Sequence, residues 1–118
     1  MSPITLFRNS ERAEIFPAGA TIFSEGDDPG GLMYVVVEGE VDIFVRDQLI
    51  DTIGPGSSLG EIGLVDKGPR SATAVAKRES RLEPIDAKRF QYLVQQTPHF
   101  ALQVMTILAK RLRLEREQ

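Results

Sequence analysis

Short segments rich in valine, isoleucine and aromatic residues recur between residues 12 and 85, and they constrain the fold more than any other feature. Turn-forming residues separate them, most densely at Gly26-Asp27-Asp28-Pro29-Gly30-Gly31. Strands this short, with turns every ~8 to 12 residues, are typical of an antiparallel jelly roll or barrel. The predicted strands are 13–16, 21–24, 32–38, 40–45, 48–53, 71–76 and 81–85.

The pattern becomes helical after residue 85. Asp86 can cap a helix that runs to about Gln96. Pro98 suits the start of a second helix that runs to about Arg116, and Pro3 suits a short helical segment near the N-terminus. We therefore predict a fold that is mainly β with α, in one domain over 1–118. Its parts are an antiparallel β-roll (about 12–85), a short N-terminal helical segment, and two C-terminal helices (about 86–96 and 98–116).

The second helix is apolar over much of its circumference. Ala101, Met105, Leu108 and Leu112 follow a 4-3-4 spacing, as a coiled-coil seam does. Apolar helix stripes usually face a core, so packing on the β-roll is the first expectation and a homodimer through this helix is the alternative. The last turns gather cations that favour the helix dipole: Lys110, Arg111, Arg113 and Arg116.

Composition argues against several kinds of site. The chain has no cysteine and one histidine, His99, so disulfides, thiolate catalysis and clustered metal ligands are not expected. A net charge of −3 argues against direct nucleic-acid binding. No apolar run approaches the roughly 18 residues of a membrane span. No base or partner acid accompanies Ser57-Ser58 as a nucleophile. We expect no catalytic residue, no metal site and a cytoplasmic location.

Residues 60–76 carry the chemistry that best indicates a function. Gly60 lets the backbone approach a ligand closely, and Glu61 can accept a hydrogen bond from a sugar hydroxyl. Arg70 follows a Gly-Pro turn and offers a planar fork that can hold a phosphate. One helical turn between them would present free N–H groups that suit an anion. The segment thus offers a phosphate end and a sugar end.

This segment resembles the phosphate-binding cassette of the cyclic nucleotide-binding domain family. That family includes the bacterial catabolite activator protein, the regulatory subunits of cyclic AMP-dependent protein kinase and nucleotide-gated channels. Residues 26–41 resemble the strand–turn–strand segment of the same β-roll, and the resemblance covers about residues 7–116. Leu59 departs from the pattern, which usually has an aromatic residue there. The positions that match without a gap are Gly60, Glu61, Leu64, Pro69, Arg70, Ser71, Ala72 and Thr73.

The resemblance implies a role for each site residue. Arg70 would hold the cyclic phosphate, and Ser71 would hydrogen-bond a phosphate oxygen or help to recognise the purine. Glu61 and Gly60 would hold the ribose. Backbone N–H groups would surround sugar and phosphate, namely those of Gly60, Ile62 and Gly63. Ser71 favours cyclic AMP, because threonine at that place often accompanies cyclic GMP in the family. Cyclic GMP is the alternative ligand.

The resemblance also implies a mechanism of signalling. Ligand capture would tighten the cassette and let the terminal helix close over the base through Ile107, Leu108 or Leu112. An unidentified downstream protein would then respond to the helix position. The chain would be a regulatory sensor and not an enzyme.

Three alternatives stay open. The chain could be an effector-domain fragment of a Crp/Fnr-type transcription regulator, a channel or a fused enzyme, since no helix-turn-helix follows the long helix before Gln118. It could be a degenerate family member that serves only as an interaction or dimerisation module. An enzyme of the cupin type is disfavoured, because a cupin metal site needs several histidines.

Overall fold

Eight strands and three helices make up the part of the chain that the structure describes. The computed structural model describes residues 3–66 and 68–117, with side chains described to residue 114. The strands are β1 (Glu14–Phe16), β2 (Thr21–Phe23), β3 (Leu32–Glu38), β4 (Val41–Val45), β5 (Gln48–Ile53), β6 (Ser58–Leu59), β7 (Thr73–Ala76) and β8 (Ser80–Asp86). The helices are α1 (Ile62–Val65), α2 (Ala87–Gln96) and α3 (His99–Glu117).

The strands form two four-stranded antiparallel sheets, in the orders β1-β8-β3-β6 and β2-β7-β4-β5. This arrangement, with helices after the last strand, confirms the predicted class of antiparallel β-roll with α. The predicted N-terminal helical segment takes the form of successive hydrogen-bonded turns over residues 6–9, in which Arg8 N–H donates to the Thr5 carbonyl and Ser10 N–H donates to the Phe7 carbonyl. Met1 and Ser2 of that segment lie outside the described residues.

Strand β6 was not predicted, because Gly54 to Ser58 has the composition of a loop. It pairs with β3 through Tyr34↔Leu59 and Val35↔Ser58. A two-residue strand carries no periodic pattern of its own, so its pairing depends on the exposed edge that β3 offers. This pairing places the start of the 60–73 segment beside β3, whose central residues Met33 to Val36 are all buried.

Strand β3 is buried on both faces and separates two cores. Met33 and Val35 face a helix-side core, whereas Tyr34 and Val36 face a roll core between the sheets. The helix-side core comprises Ile4, Phe7, Met33, Val35, Ile85, Leu93, Phe100 and Val104. The roll core comprises Tyr34, Val36, Val41, Ile53, Leu59, Ala74 and Leu82. The helices therefore pack on the outer face of one sheet.

A helix cap, aromatic packing and an ion pair hold the two C-terminal helices against that face. The predicted Asp86 cap is confirmed, since its Oδ1 accepts from Arg89 N–H at 2.8 Å. Phe100 is fully buried, with its ring centroid 5.9 Å from that of Phe7. Arg89 Nη2 lies 2.6 Å from Oε2 of the buried Glu83. The beginning of α3 is therefore anchored in the core.

The predicted seam on α3 does not occupy one exposed face. Met105 and Leu112 are each 60% exposed, whereas Leu108 packs against the helix-side core. Leu102 is exposed as well, so the apolar stripe that points away from the domain consists of Leu102, Met105 and Leu112. Periodicity alone could not choose between these stripes, because this helix is apolar on several sides. The side chain of Arg116, from the predicted cationic cluster, lies outside the described residues.

Candidate functional site

Backbone hydrogen bonds join the two segments that the sequence singled out. Gly26 N–H donates to the Arg70 carbonyl at 2.8 Å, and Arg70 N–H donates to the Asp27 carbonyl at 2.8 Å. These two bonds place the 26–31 turn beside the end of the 60–73 segment. Lys67, within the variable turn of that segment, lies outside the described residues. The two motifs form one site.

Arg70 is the centre of this site and is only 7% exposed. Its Nη2 donates to the carbonyls of Pro29 at 3.1 Å and Leu32 at 2.8 Å, and its Nη1 donates to the Gly60 carbonyl at 3.2 Å. The guanidinium carbon lies 4.1 Å from the centroid of the Phe23 ring. The Nε atom is buried and has no hydrogen-bond partner among the described residues. One donor of a buried cation is therefore left for a further acceptor.

The electrostatics of Arg70 favour an anion. Burial lowers the pKa of Arg70, and the nearby Tyr34 and Asp27 oppose that shift. The guanidinium nevertheless stays charged, because an arginine pKa ordinarily exceeds about 12. Its three carbonyl partners are neutral. Asp27 is near but forms no ion pair with Arg70, so an anion placed in contact with this desolvated cation would be stabilised.

Two glycines make room for the arginine. A Cβ atom on Gly60 would lie 2.6 Å from Arg70 Nη1, and one on Gly63 would lie 2.9 Å from the same atom. Gly60 also has φ +74°, which disfavours any residue with a Cβ. The sequence predicted that Gly60 gives space to a ligand. In the structure the immediate occupant of that space is the Arg70 side chain.

Glu61 forms the other end of the site and is 8% exposed. Its Oε2 accepts from Ser58 Oγ at 2.5 Å. Arg111 Nη1, from α3, lies 3.2 Å from Oε1 and 3.0 Å from Oε2 of the same carboxylate. Arg111 Nη2 donates to the Ser58 carbonyl. The carboxylate predicted to hold a ribose is thus covered by a side chain of the terminal helix.

Sequence reasoning did not identify Arg111 as a site residue. The sequence pattern places Arg111, with its cationic neighbours, at a helix end that favours cations. The contact joins residues that are 50 positions apart. Several cations share that helix end, and no local pattern distinguishes the one that meets Glu61.

The remaining predicted residues are Ile62, Gly63 and Ser71. Gly63 N–H donates to the Gly60 carbonyl at 3.0 Å within the turn, and the Ile62 side chain on α1 is exposed. Ser71 follows Arg70 and is exposed, with no hydrogen bond from its hydroxyl to the described part of the chain. The structure thus brings Gly60, Glu61, Gly63 and Arg70 into one site, and Ser71, which follows Arg70 in the chain, is exposed.

Residues 13–97 match the family model of the cyclic nucleotide-binding domain. The chain belongs to this family. The match covers both motifs and ends before α3, so Arg111 lies beyond it. Family membership confirms the resemblance that the sequence motifs indicated.

Individual relatives agree with this assignment. The chain is 33% identical over 103 residues to a CRP-like cAMP-activated global transcriptional regulator of Mycobacterium tuberculosis, and the match covers 83% of this chain and 46% of that protein. The crystal structure of Thermus thermophilus catabolite activator protein superposes with a TM-score of 0.77 at 32% identity, over 88% of this chain and 51% of the other.

A second solved structure matches with a TM-score of 0.70 at 32% identity, over 91% of this chain and 85% of the other. Its description reads "A cyclic-GMP-dependent signalling pathway regulates bacterial phytopathogenesis". The chain spans about half the length of the curated regulator it matches. The relatives thus include proteins described with either cyclic nucleotide. No helix in the described part of the chain is long and apolar enough to cross a membrane.

Proposed function

We propose that this domain binds a cyclic purine nucleotide as a regulatory signal, with cyclic AMP as the first candidate and cyclic GMP as the second. The observation that carries the proposal is the buried Arg70 guanidinium, whose Nε has no partner among the described residues. A cyclic phosphate bears one negative charge and several acceptor oxygens. It would supply the missing acceptor and a negative charge in direct contact with the guanidinium.

The two ends of the site suit the two ends of such a ligand. The phosphate would lie at Arg70, with the exposed Ser71 hydroxyl as a second donor. The ribose would lie toward Gly60 and Glu61, where a carboxylate can accept from a 2′-hydroxyl. The N–H groups of Gly60 and Ile62 would complete the cradle, whereas the N–H of Gly63, which the resemblance also implies, already donates to the Gly60 carbonyl. One relative is described as cAMP-activated, which supports cyclic AMP, and another is described with a cyclic-GMP-dependent pathway, which supports cyclic GMP.

Signalling would proceed through α3. Ile107 and Leu108 pack against the helix-side core, whereas Leu112 is exposed, so Leu112 is the best placed of the three candidates to cover a base. A second copy of the chain is the proposed partner for the exposed stripe of Leu102, Met105 and Leu112. Non-catalytic action, a cytoplasmic location and a downstream protein partner stay predictions. A longer regulator of which this domain is one part agrees with the length of the curated relative.

Calorimetric titration of ligand-stripped protein with cyclic AMP and cyclic GMP tests the proposal. We expect saturable binding that is lost in Arg70→Lys, because an ammonium has three N–H donors and cannot keep the three carbonyl partners of Arg70 while also donating to a phosphate. Arg78→Lys is the matched control, since Arg78 is exposed and lies outside the site. Thermal melting of each variant verifies the fold. Absence of heat with both nucleotides from folded wild-type protein would overturn the proposal and favour a non-binding interaction module.

A further inference from the structure

A β-bulge in β2 turns the Phe23 side chain toward the site. The register of β2 against β7 shifts between Thr21 and Phe23, where two steps along β2 match one step along β7. In a regular strand, successive side chains point to opposite faces of the sheet. At this bulge, however, the successive residues Ile22 and Phe23 both pack against the roll core. The Phe23 ring therefore points inward, where it meets Arg70.

The Phe23 ring lies against the guanidinium of Arg70. The guanidinium carbon is 4.1 Å from the ring centroid, a distance at which a cation is attracted to the face of the ring. The same ring borders Gly60, since a Cβ atom on that glycine would lie 3.4 Å from Phe23 Cε2. Tyr34 supports the ring from the roll core, because the two rings are stacked with their centroids 6.2 Å apart. Phe23 thus connects the roll core to the arginine of the site.

This contact restrains a rotation that the hydrogen bonds of Arg70 leave open. The three carbonyl acceptors are bonded to Nη1 and Nη2, so they restrain two atoms of the guanidinium. Rotation about the line through these two atoms would still move Nε, which has no hydrogen-bond partner among the described residues. A flat ring against the guanidinium opposes that rotation, because the rotation would lift part of the cation away from the face of the ring. The ring therefore helps to determine the direction of the Nε–H bond.

We infer that Phe23 is a positioning residue for anion binding, which holds the plane of the Arg70 guanidinium so that Nε–H is preorganised to donate to a phosphate oxygen. This inference rests on the proposed function. The role of Phe23 acts through Arg70. Without the ring, the guanidinium must be ordered when the phosphate binds, and ordering a side chain on binding lowers the affinity.

The inference predicts how substitutions of Phe23 change the affinity for a nucleotide. Phe23→Leu keeps an apolar side chain but removes the flat ring. We expect it to bind cyclic AMP roughly three- to tenfold more weakly than wild type, the size expected when one side chain must be ordered on binding. Cyclic GMP and 2′-deoxy cyclic AMP should be weakened by the same factor, because they carry the same cyclic phosphate. Phe23→Tyr keeps the ring and should bind like wild type.

Phe16→Leu is the matched control for this substitution. Phe16 also packs against the roll core, and its ring centroid lies 6.4 Å from that of Tyr34. Among the described rings, however, it is Phe23 that makes the cation–π contact with Arg70. Phe16→Leu therefore removes a similar ring from the same core and leaves the guanidinium contact in place. We expect its nucleotide affinities to equal those of wild type.

The experiment measures two quantities on the full chain. Calorimetry gives the affinities of wild type and the three variants for the three nucleotides, and thermal melting verifies that each variant is folded. Nuclear magnetic resonance of the unliganded proteins gives the chemical shift of the Arg70 Nε–H proton. A proton over the face of an aromatic ring is shielded, so this signal should lie upfield of those of exposed arginines in wild type and in Phe16→Leu. In Phe23→Leu it should move toward them, which a general loosening of the core would not produce selectively.

The outcomes separate this inference from the proposed function. Wild-type binding with unchanged affinity in folded Phe23→Leu, or with equal losses in Phe23→Leu and Phe16→Leu, overturns the positioning role and leaves the proposed function standing. Unequal losses among the three nucleotides also overturn it, because the ring would then act on the base or the sugar. Weak binding by folded Phe23→Tyr, or an unshifted Arg70 signal in wild type, overturns the role of the ring. Absence of binding by every protein overturns the proposed function and the positioning role with it, while a shifted Arg70 signal would still show that the ring and the guanidinium are in contact.

Discussion

Replacing Arg70 with alanine is expected to destabilise the unliganded domain by about 2 to 4 kcal/mol, apart from any effect on ligand binding. Arg70 connects the 26–32 segment to the 60–73 segment through hydrogen bonds to the carbonyls of Pro29, Leu32 and Gly60. Hydrogen bonds from a charged donor contribute about 1.5 to 3 kcal/mol each, so their simple sum would be about 4.5 to 9 kcal/mol.

The expected loss is smaller than that sum for two reasons. Burial of the guanidinium opposes folding, as the lowered pKa of Arg70 and its unpaired Nε indicate. Alanine also opens a path for water to the released carbonyls. A domain of this size is stable by about 5 to 15 kcal/mol, so the variant should remain folded at 25 °C.

Urea unfolding followed by circular dichroism measures this effect without ligand. Arg78→Ala is the control, because the Arg78 side chain is 63% exposed and its nitrogen lies 3.6 Å from Glu40. That substitution should change the free energy of unfolding by less than about 1 kcal/mol. A loss below about 1 kcal/mol in Arg70→Ala, with an unchanged denaturant dependence, would refute the claim that Arg70 holds the two segments together.

Further substitutions test other parts of the structure. Gly60→Ala should lower the free energy of unfolding by about 1 to 3 kcal/mol because of the positive φ and the contact with the neighbouring guanidinium, whereas Gly54→Ala, with open space around it, should be nearly neutral in the same urea titration. Glu61→Ala should weaken cyclic AMP more than its 2′-deoxy analogue in calorimetry; equal losses would show that this carboxylate does not hold the ribose. In the folded protein, burial is the main cause that raises the pKa of Tyr34 above its ordinary value of about 10. The phenol therefore ionises at lower pH in the unfolded protein than in the folded one, and the free energy of unfolding falls as pH rises above about 10. Tyr34→Phe should lose less stability over that pH range, and parallel pH curves would contradict this. Met105→Glu should weaken self-association in analytical ultracentrifugation and leave nucleotide affinity unchanged; a monomeric wild type would exclude the proposed second copy.

Much of the fold follows from local chemistry and was predictable for that reason. The turn residues at 26–31, the apolar strands β3 to β5 and the Asp86 cap each determine structure within a few residues of themselves. The two motifs identified the family for the same reason, since each is a continuous segment. Strand β6 was missed, because a two-residue pairing depends on a partner strand and not on its own composition.

The roles of the site residues depend on contacts between segments that are distant in the sequence. The sequence by itself determined that Gly60, Glu61 and Arg70 share a short segment with the chemistry of an anion and sugar site. Only the tertiary structure decided that Gly60 gives its space to Arg70, and that Arg111 is the cation that meets Glu61. The physical reason is that side-chain chemistry and turn geometry are local. Which charges meet, and which of them are removed from water, is decided when α3 packs on the β-roll.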